Sequence, residues 1–305
     1  MAGGRILVPI PSSCPPAVHT RRYAQLDVFS PRPGAGNPLA VVYDAGDLDA
    51  AAMQSFAAWT NLSETVFFLP PSAPGADYRI RIFTPRMELP FAGHPSVGAA
   101  WAALDAGLAR ERDGMLVQEC AAGLLPVRIA RDDGRVLPAI RSPRATPRDT
   151  EAPAWLREAR VWGARRGVLA PTLWNNGPDW WLLELADEAA VRGLQPDLAA
   201  IARLPGAGKL AAFAVTAPGN EAQLVVRAFA PGAGVAEDPA TGSVNASIAT
   251  VLHRQGRLPG AQGRYVASQG RELGRDALLR LELDGDGEAW VGGQVHAVIR
   301  GTVDW

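Results

Sequence analysis

Short runs of alternating apolar and polar residues recur along most of the chain, a pattern typical of β-strands with one buried face. In the first half these runs are "RYAQLDVF", "LAVVYD", "ETVFFL", "DYRIRIF", "MLVQEC", "LLPVRIA" and "RVLPAI". In the second half they are "PDWWLLELAD", "LAAFAVTA", "QLVVRAF", "RYVASQG", "ALLRLEL", "EAWVGGQ" and "HAVIRGTV". The chain is therefore predicted to be rich in strands.

Four segments have the spacing or the composition of helices instead. The first, "DLDAAAMQSFAAW", begins at an aspartate and spaces its apolar residues as a helix does. A second helix is predicted from about Ser96 to Ala106, a third in "DEAAVRGL" and a fourth at the end of "FAPGAGVAEDPATGSVNASIATVL". Because strands outnumber helices and the connections resemble hairpins, the pattern favours an α+β fold with a largely antiparallel sheet.

An internal repeat links the second and fourth helices. Each follows a strand that ends in "FTP" or "FAP", then a loop, then a residue followed by proline, and then a glycine one turn into the helix. His94 and Asp238 are the residues before proline, and they lie 144 residues apart, as do Gly98 and Gly242. Two matching strand–loop–helix units predict two similar domains related by a pseudo-two-fold axis.

The two helix starts are candidates for binding an anion. Proline suits the first turn of a helix, so His94 and Asp238 are predicted to stand at N-cap positions. The N–H groups of residues 96–98 (Ser96 first) and 241–243 (Thr241, Gly242 and Ser243) would then be free to bind a small carboxylate. Asp238 equally fits a helix cap with no further role, and Ser243 equally fits a local partner of the backbone.

Glu64, in "NLSETVFF", is a candidate acid/base group. A glutamate is ordinarily a surface residue, but this one is followed by Val66, Phe67 and Phe68. A carboxyl group held against such an apolar wall has its pKa raised towards neutrality, which general acid/base catalysis requires.

Composition excludes several other classes of protein. The 305 residues are enough for about two domains, and a net charge of −1 gives no field that would attract nucleic acid or an anionic membrane. No apolar stretch is long enough to span a membrane. The two cysteines, Cys14 and Cys120, stand in no metal-binding or disulfide pattern, so we predict no metal site and a cytoplasmic protein. Residues 1–22 are predicted to be a disordered extension, or the product of a start codon placed too early.

Four stretches resemble the PhzF-like family, named for the phenazine biosynthesis isomerase. They are "LDVFSPRPGAGNPLAVV", "NLSETVFF", "FTPRMELPFAGHPSVGAAWAAL" and "EDPATGSVNAS", in the family's order and at its separations from about Tyr23 onwards. The resemblance implies the diaminopimelate epimerase fold, in which two similar domains each wrap a barrel-like mixed sheet around a central helix. The active site would lie in the cleft between them. The expected division is residues 23–128 with 296–305, and residues 129–295.

The resemblance also implies a function and a set of site residues. In the family's isomerase, a glutamate moves a proton between two carbons of a dihydro-hydroxyanthranilate without a cofactor, and members are commonly homodimers, which implies a homodimer here. By this likeness Glu64 is the proton shuttle, and His94 and Asp238 position the substrate and tune Glu64. Ser243 and the backbone around Gly93 and Gly242 would bind the substrate carboxylate.

Two other functions stay open on the sequence. One is a single-base epimerase or isomerase of another amino or hydroxy acid, and the other is a non-catalytic protein that binds small carboxylates. Epimerases that use two cysteines are disfavoured, because Ala92 and Pro239 stand where the thiols would be.

Overall fold

The computed structural model describes residues 18–206 and 208–305. Its helices are α1 (Ala50–Thr60), α2 (Gly93–Asp105), α3 (Ala154–Arg157), α4 (Glu188–Arg192), α5 (Leu198–Ala202) and α6 (Gly242–Arg254). Two short 3-10 helices cover Pro231–Ala233 and Arg271–Leu273. Within the described ranges no helix has both the length and the apolar character that a membrane crossing requires.

Between residues 18 and 305, with residue 207 left aside, twenty strands account for most of the remaining regular structure. The first eight are β1 (Thr20–Val28), β2 (Asn37–Val42), β3 (Glu64–Leu69), β4 (Tyr78–Phe83), β5 (Glu88–Leu89), β6 (Met115–Cys120), β7 (Gly123–Asp132) and β8 (Arg135–Arg141). The next eight are β9 (Thr146–Pro147), β10 (Arg160–Val161), β11 (Ala164–Arg165), β12 (Thr172–Asn175), β13 (Asp179–Glu184), β14 (Leu210–Val215), β15 (Leu224–Ala230) and β16 (Val235–Asp238). The last four are β17 (Arg264–Gln269), β18 (Ala277–Leu283), β19 (Ala289–Gly292) and β20 (Val295–Asp304).

Most strands join one continuous mixed sheet. It runs from β20 through β1, β2, β3, β4, β6, β7 and β8, and then through β19, β18, β17, β15, β14, β13, β12 and β9. We call the part from β20 to β8 the first half-sheet and the part from β19 to β9 the second half-sheet. The predicted α+β class is confirmed, with four parallel pairings (β2–β3, β4–β6, β13–β14 and β15–β17) among the antiparallel ones.

The two half-sheets have the same topology. Counted outward from the β8–β19 pair, each has two antiparallel pairings, then a parallel, an antiparallel and a parallel one, and then two more antiparallel ones. The short strands β5 and β16 pair with β4 and β15, and each is followed by the long helix of its half, α2 or α6. The repeat seen in the sequence is thus one part of a longer repeat of elements.

The helices α2 and α6 are the most buried of the fold. Each has 13 residues, of which nine are buried. α2 packs against strands of the first half-sheet, whereas α6 packs against β18 and β19 of the second. Gly98 permits the contact of α2 with β1 and β2, because a Cβ at this position would overlap Leu39 Cδ2 and lie 3.0 Å from Val28 Cγ2. The outer faces of the sheet have separate cores, one under α1 with Phe56 and one under α4 and α5 with Trp181.

The chain ends differ in part from expectation. Residues 1–17 of the predicted extension lie outside the described residues, but Thr20–Arg22 belongs to β1, so the prediction placed the first strand too late. β20 pairs with β1 from Val295 to Asp304, as expected for a C-terminal strand that returns to the first half. The expected division between residues 128 and 129 falls inside β7.

Candidate active site

The N-termini of α2 and α6 meet. Gly93 and Gly242 are the first residues of these helices, and a Cβ built on Gly93 would lie 3.6 Å from the Cα of Gly242. A Cβ on either glycine would make only ordinary van der Waals contacts, so the two helix starts meet without overlap. The first N–H groups of a helix have no partner within it. Free backbone donors and the positive ends of two helix dipoles therefore lie together at this point.

The predicted start of α2 is wrong by about three residues. The N-cap is Ala92, which makes no side-chain cap hydrogen bond, and His94 lies inside the first turn. The Ser96 N–H donates to the Ala92 carbonyl at 3.2 Å, and the Ser96 hydroxyl accepts from Gln118 Nε2 at 3.0 Å. The amides expected to be free at residues 96–98 are therefore within the helix, and those of Gly93 and His94 take their place.

The predicted start of α6 needs a smaller correction. The N-cap is Thr241, and Asp238 ends β16 three residues earlier. The Thr241 N–H donates to Gln269 Oε1 at 3.1 Å, so it is not free as expected. Gly242 and Ser243 are the first two helical residues, and their N–H groups precede the first intrahelical bond, from Asn245 to Thr241.

Glu64 and His94 contact each other beside the meeting point. Glu64 is the first residue of β3, and its Oε2 lies 3.4 Å from His94 Nε2. The two side chains are 17% and 8% exposed. In the described structure, both of these buried atoms lack a hydrogen-bond partner. An acceptor and a potential donor that face each other at this distance are available to a bound molecule.

Burial shifts the pKa values of both groups towards their neutral forms. It raises the pKa of Glu64 to about 7, against a smaller opposing effect of the Ser63 hydroxyl. It lowers the pKa of His94 to about 4, although the charge of Asp238 and the backbone of Pro38 act in the other direction. At neutral pH His94 is thus uncharged, while Glu64 is divided between its acid and its carboxylate.

Asp238 is the third titratable group of the cluster. Burial raises its pKa to about 6, against hydrogen bonds from Thr241 and Asn37 and the charge of His94, and the charge of Glu64 raises it further. Thr241 Oγ1 donates to Asp238 Oδ2 at 2.6 Å, and Asn37 Nδ2 donates to Oδ1 at 3.0 Å. The structure therefore brings together Glu64, His94 and Asp238.

Two buried amides, Asn37 and Gln269, were not singled out from the sequence. Asn37 accepts from Ser63 Oγ at 3.2 Å and donates to Asp238 and to the Ala240 carbonyl, and so joins β2 to the loop before α6. Gln269 Nε2 donates to the Asp238 carbonyl at 2.8 Å and to Thr241 Oγ1 at 2.9 Å. Asn37 lies in the stretch "GNP" quoted above, but nothing in that stretch indicates a contact 201 residues away.

Ser243 is held by the second half of the chain. Its hydroxyl accepts from Trp180 Nε1 at 3.2 Å, and its carbonyl accepts from Asn176 Nδ2 at 2.8 Å. Trp180 and Asn176 are both buried. The side chain predicted to bind substrate therefore has one protein partner already and retains its own O–H as a donor.

Metal ligation does not identify this site. No group of three or more His, Cys, Asp or Glu side chains suited to a metal ion occurs among residues 18–206 and 208–305. Cavities of about 630 Å³, bordered by Trp101 and His296, and about 490 Å³, bordered by Leu281 and Trp290, lie elsewhere. The site is recognised instead by its perturbed titratable groups and its two helix starts.

Comparison with known proteins identifies the family of the chain. The family model described as phenazine biosynthesis-like protein matches residues 26–301. The chain belongs to the PhzF family. This confirms the resemblance seen in the sequence and places the chain in a family of isomerases.

Individual relatives match over nearly their whole length. A trans-2,3-dihydro-3-hydroxyanthranilate isomerase of Pseudomonas aeruginosa is 37% identical over 268 residues, which cover 88% of this chain and 92% of the relative. A Schizosaccharomyces pombe protein named antisense-enhancing sequence 1 is 32% identical over 288 residues, covering 92% and 97%. The PhzF-family protein of Bacillus anthracis superposes with a TM-score of 0.81 at 23% identity, covering 93% of this chain and 99% of that one, and supports the fold.

Proposed function

We propose that this PhzF-family protein is a cofactor-independent isomerase that moves a proton within a small carboxylate-bearing substrate of the dihydro-hydroxyanthranilate class. The observation that carries the proposal is the buried carboxyl of Glu64, with a pKa of about 7, which faces an unpartnered His94 nitrogen beside two helix starts. The Pseudomonas aeruginosa relative that bears the isomerase's name supports the substrate class.

Glu64 has the properties of a single proton shuttle. A group that removes a proton from one carbon and returns it to another must act first as a base and then as an acid. A carboxyl with a pKa near neutrality does both with little cost, because neither form is strongly favoured at pH 7. One such group, placed over both carbons, is sufficient for a 1,3 shift.

His94 and Asp238 position the substrate in this proposal. Neutral His94 presents Nε2 to the site, where it contacts a polar group of the substrate or the acid form of Glu64. Asp238 is fixed by Asn37 and Thr241, so its carboxyl stays oriented while the substrate changes. Burial raises the pKa of Glu64, and the charge of Glu64 in turn raises the pKa of Asp238.

The substrate carboxylate would bind at the two helix starts. The amides of Gly93, His94, Gly242 and Ser243 supply donors there, together with the Ser243 hydroxyl. Ser96 and Thr241, also expected to bind substrate, act indirectly: Ser96 anchors α2 to Gln118, and Thr241 holds Asp238.

We infer a two-domain arrangement with the site in the cleft between the domains. The repeated topology of the half-sheets supports it. Because the half-sheets join where β8 pairs with β19, a division after Arg141, the end of β8, is favoured over one after Arg128. A homodimer is part of the same proposal, and light scattering of the purified protein tests it.

An isotope experiment distinguishes the proposed isomerase from an epimerase. The protein is incubated in D₂O with trans-2,3-dihydro-3-hydroxyanthranilate, and the product is followed by NMR. We expect a displaced double bond, with the proton that Glu64 removed delivered to the receiving carbon, and deuterium at that carbon alone to the extent that Glu64 exchanges with solvent during turnover. Deuterium at a single stereocentre of an unchanged skeleton would support the epimerase instead, and no turnover at all would support a binding protein.

A further inference from the structure

Lys209 is the single lysine of this chain, in which 29 further cationic side chains are all arginines. It directly precedes β14, and its carbonyl accepts from the Trp181 N–H at 3.1 Å. Leu210 packs into the outer core with Trp181, and Ala211 packs into the core that contains α6. Since successive side chains of a strand point to opposite faces, Lys209 lies on the same face as α6.

Lys209 is linked to the N-terminus of α6 through Trp180. Its Nζ is 5.4 Å from the centre of the Trp180 ring, and Trp180 Nε1 donates to Ser243 Oγ. Lys209 is partly buried, yet within the described chain it forms neither an ion pair nor a hydrogen bond through its side chain. A cation that is held against an aromatic face and has no anionic partner is available to a ligand.

The charge balance of the candidate site calls for such a cation. Glu64 and Asp238 contribute two carboxyl groups, and in the described residues no arginine or lysine forms an ion pair with either. Burial lowers the pKa of Lys209, whereas the charges of Asp179 and Asp238 act to raise it, so its ammonium lies within the field of Asp238. A substrate carboxylate adds a third negative charge, which helix dipoles alone offset only in part.

We propose that Lys209 binds the carboxylate of the substrate, as the cation that completes the two helix starts. The proposal rests on the function proposed above and assigns its carboxylate recognition to a side chain. An ammonium is a compact point charge on a flexible stem, so it can move from the Trp180 ring to a bound anion without displacing Ser243.

A single lysine makes a direct test possible. Reductive methylation with ¹³C-formaldehyde gives one ε-dimethylamino resonance, which the Lys209→Arg variant identifies by its absence. Anthranilate is the probe, and its uncharged methyl ester is the matched control. We expect anthranilate to shift the Lys209 resonance and the ester to leave it unchanged.

Binding affinities provide the second measurement. Calorimetry with anthranilate should show affinity about 10- to 100-fold weaker for Lys209→Met, which keeps most of the aliphatic stem, and a smaller loss for Lys209→Arg. With the substrate itself, the loss should appear mainly in KM and not in kcat.

The outcomes separate this proposal from the one on which it rests. If anthranilate raises the Tm of the unmodified protein but neither moves the Lys209 resonance nor binds Lys209→Met more weakly, Lys209 has no such role and the carboxylate site stands. If anthranilate does not bind the unmodified protein, both the role of Lys209 and the carboxylate-binding site are overturned.

Discussion

At the scale of single residues, the candidate chemistry depends on burial of groups that prefer water. Glu64, His94 and Asp238 all have pKa values shifted towards the neutral form, and burial is the largest cause for each. A site that binds an anion while it holds two carboxyl groups has to keep at least one of them able to take up a proton. The unfavourable burial of the Glu64 carboxylate therefore supplies the reactivity that the proposal assigns to it.

This burial predicts how stability depends on pH. The pKa of Glu64 rises from 4.5 to about 7 on folding, so between these values the native state binds more protons than the unfolded state and the free energy of unfolding falls as pH rises. Asp238 acts in the same direction between 3.8 and about 6, and His94 acts oppositely between about 4 and 6.5. Above pH 6.5 only the Glu64 effect remains.

Glu64→Gln should therefore lack the loss of stability that the wild-type protein shows between pH 6.5 and 8. Over the whole window from 4.5 to 7, the Glu64 effect amounts to up to about 3 kcal/mol. Urea denaturation at several pH values measures it, with Glu151→Gln at an exposed position as the control. Parallel curves for the wild type and Glu64→Gln would show that the pKa of Glu64 is not raised.

The sequence indicated much of this chemistry, but not the groups that support it. Glu64 could be identified because a run of apolar residues follows it directly in the chain, which is typical of a buried strand. Asn37 and Gln269 could not, because their partners lie 201 and 28 to 31 residues away. An amide has no preferred spacing from a carboxyl that it will meet only in the folded protein.

At the scale of elements, α2 packs closely against the sheet and also contacts α6, at two different points along its length. Gly98 is needed for α2 to pack on β1 and β2, whereas the starts of α2 and α6 meet at Gly93 and Gly242 in ordinary van der Waals contact. The longer strands and the helix α1, capped by Asp49, followed from pattern and cap residue, whereas the short strands such as β5 and β16 did not. The starts of α2 and α6 did not, because neither Ala92 nor Thr241 makes a side-chain cap bond and the tertiary contact decides where each helix begins.

Two alanine substitutions in α2 should differ in their consequences: one should reduce stability and the other should reduce binding. Gly98→Ala would force a Cβ into Leu39 and Val28, so we expect about 1–3 kcal/mol of destabilisation in urea. Gly93→Ala makes only an ordinary contact with Gly242, so the fold should keep its stability while the new methyl fills the gap between the helix starts. Calorimetry should then show weakened binding of anthranilate by Gly93→Ala; unchanged binding would place the carboxylate elsewhere.

At the scale of the whole molecule, the site lies where the two halves of the repeat come together. Glu64, His94 and Asn37 belong to the first half, and Asp238, Gln269 and Ser243 to the second. A small part of the repeat was visible in the sequence as "FTP" and "FAP" with the helices that follow them. The sequence alignment paired the two prolines, whereas in the structure the equivalent first residues of the helices are Gly93 and Gly242. The repeated order of pairings could not be read from single strands, because pairing is set by the assembled sheet.

Asn37→Ala tests the link between the halves. It leaves Asp238 Oδ1 and the Ala240 carbonyl without the donor that Asn37 supplies, so we expect the free energy of unfolding to fall by about 1–3 kcal/mol. Turnover should fall as well, because Asp238 loses its orientation. Asn220→Ala, in an exposed loop of the second half, is the control. Equal stability of the two variants would show that Asn37 does not join the halves.

The central claim is that the carboxyl of Glu64 carries the proton, and one comparison tests it most directly. The rate of isomerisation of trans-2,3-dihydro-3-hydroxyanthranilate is measured for the wild-type protein and for Glu64→Gln at saturating substrate. The account predicts a loss of about 10²- to 10⁴-fold, with anthranilate bound as tightly by the variant as by the wild type. Undiminished turnover by Glu64→Gln would contradict it.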